Sequence, residues 1–288
     1  MIRIQKLIVI ASLCFGFALA GKAQELPQPS PAAKVEQRVG LTDVSVTYSR
    51  PSVKGRVIWG GLEAYDVMWR AGANSATLVA FSDDVKVNGH AIPAGKYAFY
   101  LTPSKGDWTV TINKGVENWG VGGYKEEEDV ASFKVKPQVG PMMESLQYSF
   151  ENIKGNSADM VMAWEKVRIV FPIEVDVNGK AWTNIENAIA EAKADELWLV
   201  YRNSASFLAG ANMKLGQAMT WIDKSISMHK SWYSHSVRAQ VLHASGKTKE
   251  AIKSVEKAIV MGEADAKEKG KEFGYRKMMD DQLAKLKE

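Results

Sequence analysis

Arginine, tryptophan, tyrosine and glycine crowd into one stretch, 48–74, which reads YSRPSVKGRVIWGGLEAYDVMWRAGAN. Arg50, Arg56 and Arg70 are planar, fork-shaped donors suited to carboxylates or aromatic faces. Trp59 and Trp69 add large apolar area with one N–H each. Together with Asn74 they would line a basic, aromatic pocket for an anionic or sugar-like ligand. A second stretch, NKGVENWGVGGY at 113–124, supplies the other side of that pocket through Trp119 and Tyr124. Its glycines Gly120, Gly122 and Gly123 lack the Lys-Ser/Thr and the βαβ setting of a phosphate cradle, so it reads as a surface loop ending in an aromatic anchor. The candidate ligand-binding residues are therefore Arg50, Arg56, Trp69, Arg70, Asn74, Trp119 and Tyr124. The plainer reading has Arg70 and Asn74 tie a long connection to its neighbours through backbone carbonyls.

Catalysis and metal binding find less support. No nucleophile–base pair stands out, although triads assemble in space rather than in sequence. An acid–base pair would be Asp66 with Glu63 or Asp83. The acidic run at 126–129 lacks the ligand spacing of a calcium loop and reads as a solvated turn. His235 and His243 stand eight residues apart, and neither His90 nor His229 supplies the i, i+4 partner of a zinc pair. No catalytic residue, metal ligand or cofactor is assigned.

The elements that would carry these residues fall into two classes. Residues 44–48 alternate apolar and polar side chains, as a half-buried strand does. Further strands are expected at 77–81, 85–87, 97–101, 108–112, 133–136, 145–150, 158–164 and 167–175, with Asn88-Gly89 as a hairpin turn. Short strands with this punctuation predict an antiparallel sandwich or barrel. Leu62, Tyr65, Val67 and Met68 are compatible with one helical turn inside the long connection. Near Asn178-Gly179 the period becomes helical, with good helix formers dominating, and Thr183 with Glu186 reads as a capping box. An offset of 33 aligns Ala218 with Ala251, Met219 with Ile252, Ser225 with Ala258 and Ile226 with Ile259, close to the tetratricopeptide period of about 34. Trp198, Tyr201, Phe207, Met219, Trp221 and Trp232 fall at helical spacing and are expected between helices. The predicted fold class is α+β in two domains: an all-β antiparallel sandwich or barrel at 32–177, then an all-α tetratricopeptide-like array at 178–288.

Residues 1–24 read as a secretory signal: Arg3 and Lys6, an apolar run at 7–19, then Ala20, Gly21 and Ala23. The Pro-rich segment 25–31 reads as an extended, mobile linker. Cys14 is the single cysteine and lies inside the apolar run, so the cleaved chain has no disulfide or thiolate site. The chain carries a net charge of +4, but Arg3, Lys6 and Lys22 stand in the leader without any acid. The remainder is near neutral, which argues against nucleic acid as a partner. No second long apolar run follows, so no membrane span is expected after cleavage.

The motifs Tyr48 to Arg56, Trp59-Gly60, Trp69 to Asn74, Pro93-Ala-Gly95, Trp108-Thr-Val, Asn113-Lys114, Trp119-Gly120 and Tyr124 together resemble a bacterial exported family known as domain of unknown function 2911, over residues 30–175. The resemblance implies an exported β-rich module, with the helical tail as an extension, and no activity. The expected function is a non-enzymatic binding or scaffold protein, periplasmic or extracellular. Its partner would be another envelope protein or a small anionic or sugar-like ligand. The alternative is an envelope hydrolase or carbohydrate-active enzyme without a recognisable motif.

Overall fold

A computed structural model describes residues 26–288; the leader at 1–24 and Cys14 lie outside the described residues. Ten strands precede six helices. Strands β1 (Ala32–Val39), β2 (Thr42–Ser49), β3 (Thr77–Phe81), β6 (Gly95–Thr102), β7 (Trp108–Asn113) and β8 (Asp129–Val135) form one antiparallel sheet in the order 1-2-3-6-7-8. Strands β4 (Val85–Val87), β5 (His90–Ile92), β9 (Gln138–Glu151) and β10 (Ser157–Val175) form the second, in the order 5-4-10-9. The two sheets face each other across one apolar core, as the alternation requires: Val44, Val46 and Tyr48 of β2 point inward against Phe171 and Ile173 of β10 and their neighbours. The architecture is a two-domain α+β chain whose β half is a sandwich.

Several local expectations are revised. Residues 158–164 and 167–175 lie in one 19-residue strand, bent by register shifts on both sides of Glu165, which stands at φ 55°. That is β-bulge behaviour, which keeps pairing while re-aiming side chains. The connection after β2 holds turns and isolated bridges, with no helical turn at 62–68. The linker is tied at its end, because Pro31 O accepts from Arg50 N at 2.9 Å and Ser30 O accepts from Asn74 Nδ2 at 3.3 Å. Strand β6 is buried on both faces: Phe99 and Leu101 face the core, while Ala98 and Tyr100 lie under Met68, Leu78 and Tyr124.

The helices are α1 (Val177–Glu191), α2 (Leu197–Gly210), α3 (Leu215–Met228), α4 (Trp232–Ala244), α5 (Thr248–Glu268) and α6 (Arg276–Lys285). Helix α1 starts six residues before the expected capping box. Asp176 is its cap, its Oδ1 accepting from Gly179 N at 2.9 Å, while Thr183 sits mid-helix and donates to Gly179 O. The strand and the helix thus meet with almost no linker. Lys180, on the first turns of α1, donates to Asp83 Oδ2 at 2.5 Å and to Leu41 O at 2.7 Å. Tyr201 and Trp221 are buried between helices, and Phe207, Met219 and Trp232 pack against the same cores, as their spacing implied. Ala218 and Ala251, the pair aligned by the 33-residue offset, are both fully buried, as are Ser225 and Ala258.

Removing the Asp176 cap leaves an orphan N–H at the start of α1. Asp176→Ala is expected to cost the helical half about 1 kcal/mol, read as a lower urea midpoint in far-ultraviolet circular dichroism.

Candidate functional site

The 50–76 connection leaves one sheet, crosses to the other and returns, and backbone pairing fixes its course. Val53 N donates to Glu144 O at 2.7 Å and Leu146 N donates to Pro51 O at 2.9 Å, tying its start to β9. Trp69 and Leu101 exchange two backbone hydrogen bonds, at 2.7 and 2.9 Å, tying its end to β6. Between these ties Trp59 and Trp69 enter the core and meet Trp108 of β7 and Trp164 of β10. Trp59 lies edge-on to Trp108 at 4.6 Å and to Trp164 at 5.6 Å, and Trp69 stacks on Trp164 at 5.6 Å. Trp69 is 3% exposed, with its N–H on Gly72 O at 3.0 Å. It is a core residue and offers no ligand a stacking surface, because the fold needs its apolar area.

The three arginines and Asn74 divide sharply. Arg50 Nε donates to Leu146 O at 2.8 Å. Arg56 donates from Nε to Val53 O at 3.0 Å and from Nη2 to Ser52 O at 2.5 Å. Asn74, at φ 61°, donates to Ser30 O and to Ser49 Oγ at 3.2 Å. These three satisfy backbone and hydroxyl acceptors along an irregular path, which the plainer reading anticipated for Asn74. Arg70 does not follow it. Its side chain makes no hydrogen bond or ion pair among the described residues, and its Nε is buried without a partner.

Glu63 lies on the same connection. Burial pushes its carboxyl from 4.5 up to about 7, against the pull of the charges on Arg70 and Arg56. Trp59 pairs with Glu63 through the backbone, and the buried Trp59 Nε1 also lacks an acceptor. Asp66 is exposed, at φ 62°. Asp83 is engaged by Lys180 at the junction with the helices. Neither carboxylate is among the charges acting on Glu63.

The second loop is held from beneath. Asn113 is fully buried; its Nδ2 donates to Lys125 O at 2.9 Å and to Asp129 Oδ1 at 2.7 Å, and its Oδ1 accepts from Gly115 N at 2.8 Å. Tyr124, half-buried and edge-on to Tyr100, donates to Asp129 Oδ2 at 2.8 Å. Burial first, and then Asp129, push its phenol above the ordinary range. Tyr124 is therefore the anchor of the loop. Asn118 O accepts from Ala76 N at 3.1 Å, and Trp119 bridges Ser75. This brings Gly120 onto Arg70: a Cβ at Gly120, whose φ is 68°, would stand 3.4 Å from Arg70 Nη1. Trp119, next to it, is 71% exposed. Val57, Leu62 and Val67 on the first connection and Val121 on the second are exposed as well.

Of the residues singled out from sequence, Arg70 makes no side-chain hydrogen bond among the described residues and lies against Gly120 of the second loop, whose Trp119 is exposed, and the charge of Arg70 acts on Glu63. Trp69, Arg50, Arg56, Asn74 and Tyr124 serve packing and anchoring. Glu63 was visible in sequence only as half of an acid–base pair; its apolar neighbours Leu62, Ala64 and Tyr65 were the available hint of a buried carboxylate. A separate apolar cleft of about 490 Å³ lies between the β1–β2 turn and helices α1 and α2, lined by Leu41, Val177, Ile185, Val200 and Phe207 among others. It has no titratable side chain in its lining.

Two outcomes are expected. Arg50→Ala breaks a charged hydrogen bond to the carbonyl of buried Leu146 and should destabilise by about 2 kcal/mol, whereas Arg70→Ala should change stability by less than about 0.5 kcal/mol; parallel urea titrations compare them. For Glu63, the folded state holds a proton between pH 4.5 and about 7 that the unfolded chain has released. Stability therefore falls as pH rises through that window and is level above it. Glu63→Gln should match wild type near the bottom of the window and exceed it by about 1–2 kcal/mol above it, a value reduced for the carboxylate's remaining contact with water.

The family of proteins of unknown function DUF2911 matches residues 30–173, the stretch that holds both connections. Neither a curated protein nor a solved structure matches the chain. With half of the chain matched, and that half the sandwich with its Trp-anchored connections, the protein belongs to the family of proteins of unknown function DUF2911.

Proposed function

We propose that this protein is an exported, non-enzymatic binding module, whose β domain takes a small anionic or sugar-like ligand at Arg70 and Trp119. One observation carries the reading: an arginine whose side chain has no hydrogen-bond partner among the described residues lies against the loop that exposes a tryptophan. Exposed large aromatics and unused guanidinium donors are both costly to keep without a use, and together they suit a ligand with one apolar and one polar side. The helical half is a tetratricopeptide-like array serving as a protein-contact surface; the shared burial of residues 33 apart in α3 and α5 supports it. The leader pattern at 1–24 supports export to the periplasm or beyond. Among the described residues no helix is long and apolar enough to cross a membrane.

The enzyme alternative has one observation behind it. A carboxyl titrating near 7 suits general acid–base work. The charges acting on Glu63 are both arginines, whereas glycoside hydrolysis pairs two carboxylates.

Two measurements test the proposal. N-terminal sequencing of protein from the envelope fraction should find cleavage between Ala20 and Gln24; an intact Met1 on cytoplasmic protein would refute export. In a thermal-shift screen against sugars, peptides and anions, a ligand should raise the melting temperature. That rise should vanish in Arg70→Ala and in Trp119→Ala while both variants melt like wild type without ligand. A ligand shift that survives both changes would move the site elsewhere.

A further inference from the structure

We propose that the groove between α3, α4 and α5 is a separate ligand site in the helical half, which takes a small dianion of the phosphate, sulfate or dicarboxylate kind between Lys253, Lys257, Arg238 and the imidazole of His235.

One cavity unites these groups. Helix α5 turns Glu250, Lys253, Ser254 and Lys257 to a single face, at i, i+3, i+4 and i+7. Across from them stand His235 and Arg238 of α4 and Asp223 and Ile226 of α3, and all eight residues line the same space of about 440 Å³. That is within the range of small-molecule sites, about 300–1,000 Å³.

The two acids of the lining already have a use. Asp223 Oδ1 accepts from Arg238 Nε at 2.8 Å, and Glu250 stands in the first turn of α5, where the helix dipole favours a negative charge. The lysines have none. Lys253 and Lys257 make no ion pair and no side-chain hydrogen bond among the described residues, although other bases of these helices do. Set four residues apart on one helix, they repel each other, which disfavours the helix slightly. An anion held between them relieves that repulsion. Arg238 spends only Nε on Asp223, so its terminal nitrogens remain donors for the same anion.

His235 is the second, independent observation. It lines the cavity yet is only 6% exposed. Among the described residues no side chain hydrogen-bonds its ring; the group of His235 that is used is its backbone carbonyl, which accepts from Ser254 Oγ at 2.8 Å. Buried polar side chains are nearly always partnered, and an oxyanion in the cavity would accept from the imidazole N–H. Burial first, then the charges of Lys257 and Arg238, hold this imidazole below its ordinary range, while Asp223 pulls the other way. The charges facing it are therefore Asp223 from α3, Arg238 from α4 itself, and Lys257 from α5, with Glu250 and Lys253 on the same wall of the cavity. A bound dianion would favour the protonated ring. By linkage, the dianion then binds more tightly as pH falls from neutral toward the imidazole range.

The test is nuclear magnetic resonance titration of the mature protein, reading the assigned His235 ring signals while sulfate or malonate is added at constant ionic strength set with chloride. Sulfate keeps its charge between mildly acidic and neutral pH, so any pH dependence belongs to the protein. Wild type is compared with Lys253→Gln, Lys257→Gln and Lys249→Gln, the last an exposed lysine of the same helix outside the cavity. At least one of the two probes should shift the His235 signals saturably, raise the pH at which the ring titrates, and bind more tightly at the lower pH. Sulfate alone assigns a tetrahedral phosphate-type ligand, and malonate alone a dicarboxylate. Lys253→Gln and Lys257→Gln should each weaken binding about tenfold, as the loss of one charged hydrogen bond implies, while Lys249→Gln binds like wild type. A His235 signal that neither probe moves would overturn the proposal. So would a shift that is not saturable, or one that all three lysine variants leave unchanged, because the anion would then act only through general screening.

Discussion

Four indoles at one end of the sandwich determine where everything else in the β domain can go. Trp108 and Trp164 belong to strands of opposing sheets, while Trp59 and Trp69 come from the connection that runs between those sheets. Their centroids lie 4.6 to 5.7 Å apart, mostly edge to face, the arrangement in which the ring quadrupoles attract. Each indole removes well over 100 Å² of apolar surface from water, so the cluster fixes two points of a long irregular path far more firmly than its turns could. With Trp59 and Trp69 held inside, residues between them are forced to the rim. Glu63 is left half-buried and short of water, and Leu62 and Val67 are left exposed.

Arg70 follows from the same constraint. Trp69 is committed to the core by its stacking on Trp164 and by its backbone pairing with Leu101. Successive side chains on extended backbone point to opposite sides, which carries the Arg70 guanidinium away from the core and toward the Trp119–Gly120 loop. That loop is itself set from below by Asn113, Asp129 and Tyr124, whose hydrogen bonds close it over the outer face of β6. Two independently anchored segments thus bring Arg70, whose side chain has no hydrogen-bond partner among the described residues, against the loop whose Trp119 is exposed.

The helical half is built on a different principle. Small residues at Ala205, Ala218, Ala239, Ala251 and Ala258 let neighbouring helices approach closely, and larger side chains such as Trp221 and Val255 fill the layers between. Its attachment to the sandwich is short: Asp176 caps α1 directly after β10, and Lys180 bridges back to Asp83 and Leu41. That pair joins an acid of the β half to a base of the helical half. It is half-exposed, so its contribution is modest and weakens with salt.

Wherever the physics was local, the residues themselves specified the outcome. Alternation in 44–48 and 108–112 yielded strands; Asn88-Gly89, at φ 48° and 82°, made the hairpin its residue types permit; and the change to helical period after residue 178 marked the two-domain α+β organisation. The start of α1 was misplaced because two caps competed, and the one chosen, Asp176, was decided by where β10 ends. The candidate site was beyond local reach. Arg50 and Arg70 are chemically identical in sequence, yet one finds a carbonyl 96 residues away at Leu146 and the other finds none among the described residues. Trp69 and Trp119 likewise look alike in sequence, but stacking with Trp164 buries the first, while an anchored loop leaves the second in water. Which donors are consumed and which remain open depends on partners that only the closed sandwich brings within hydrogen-bonding distance.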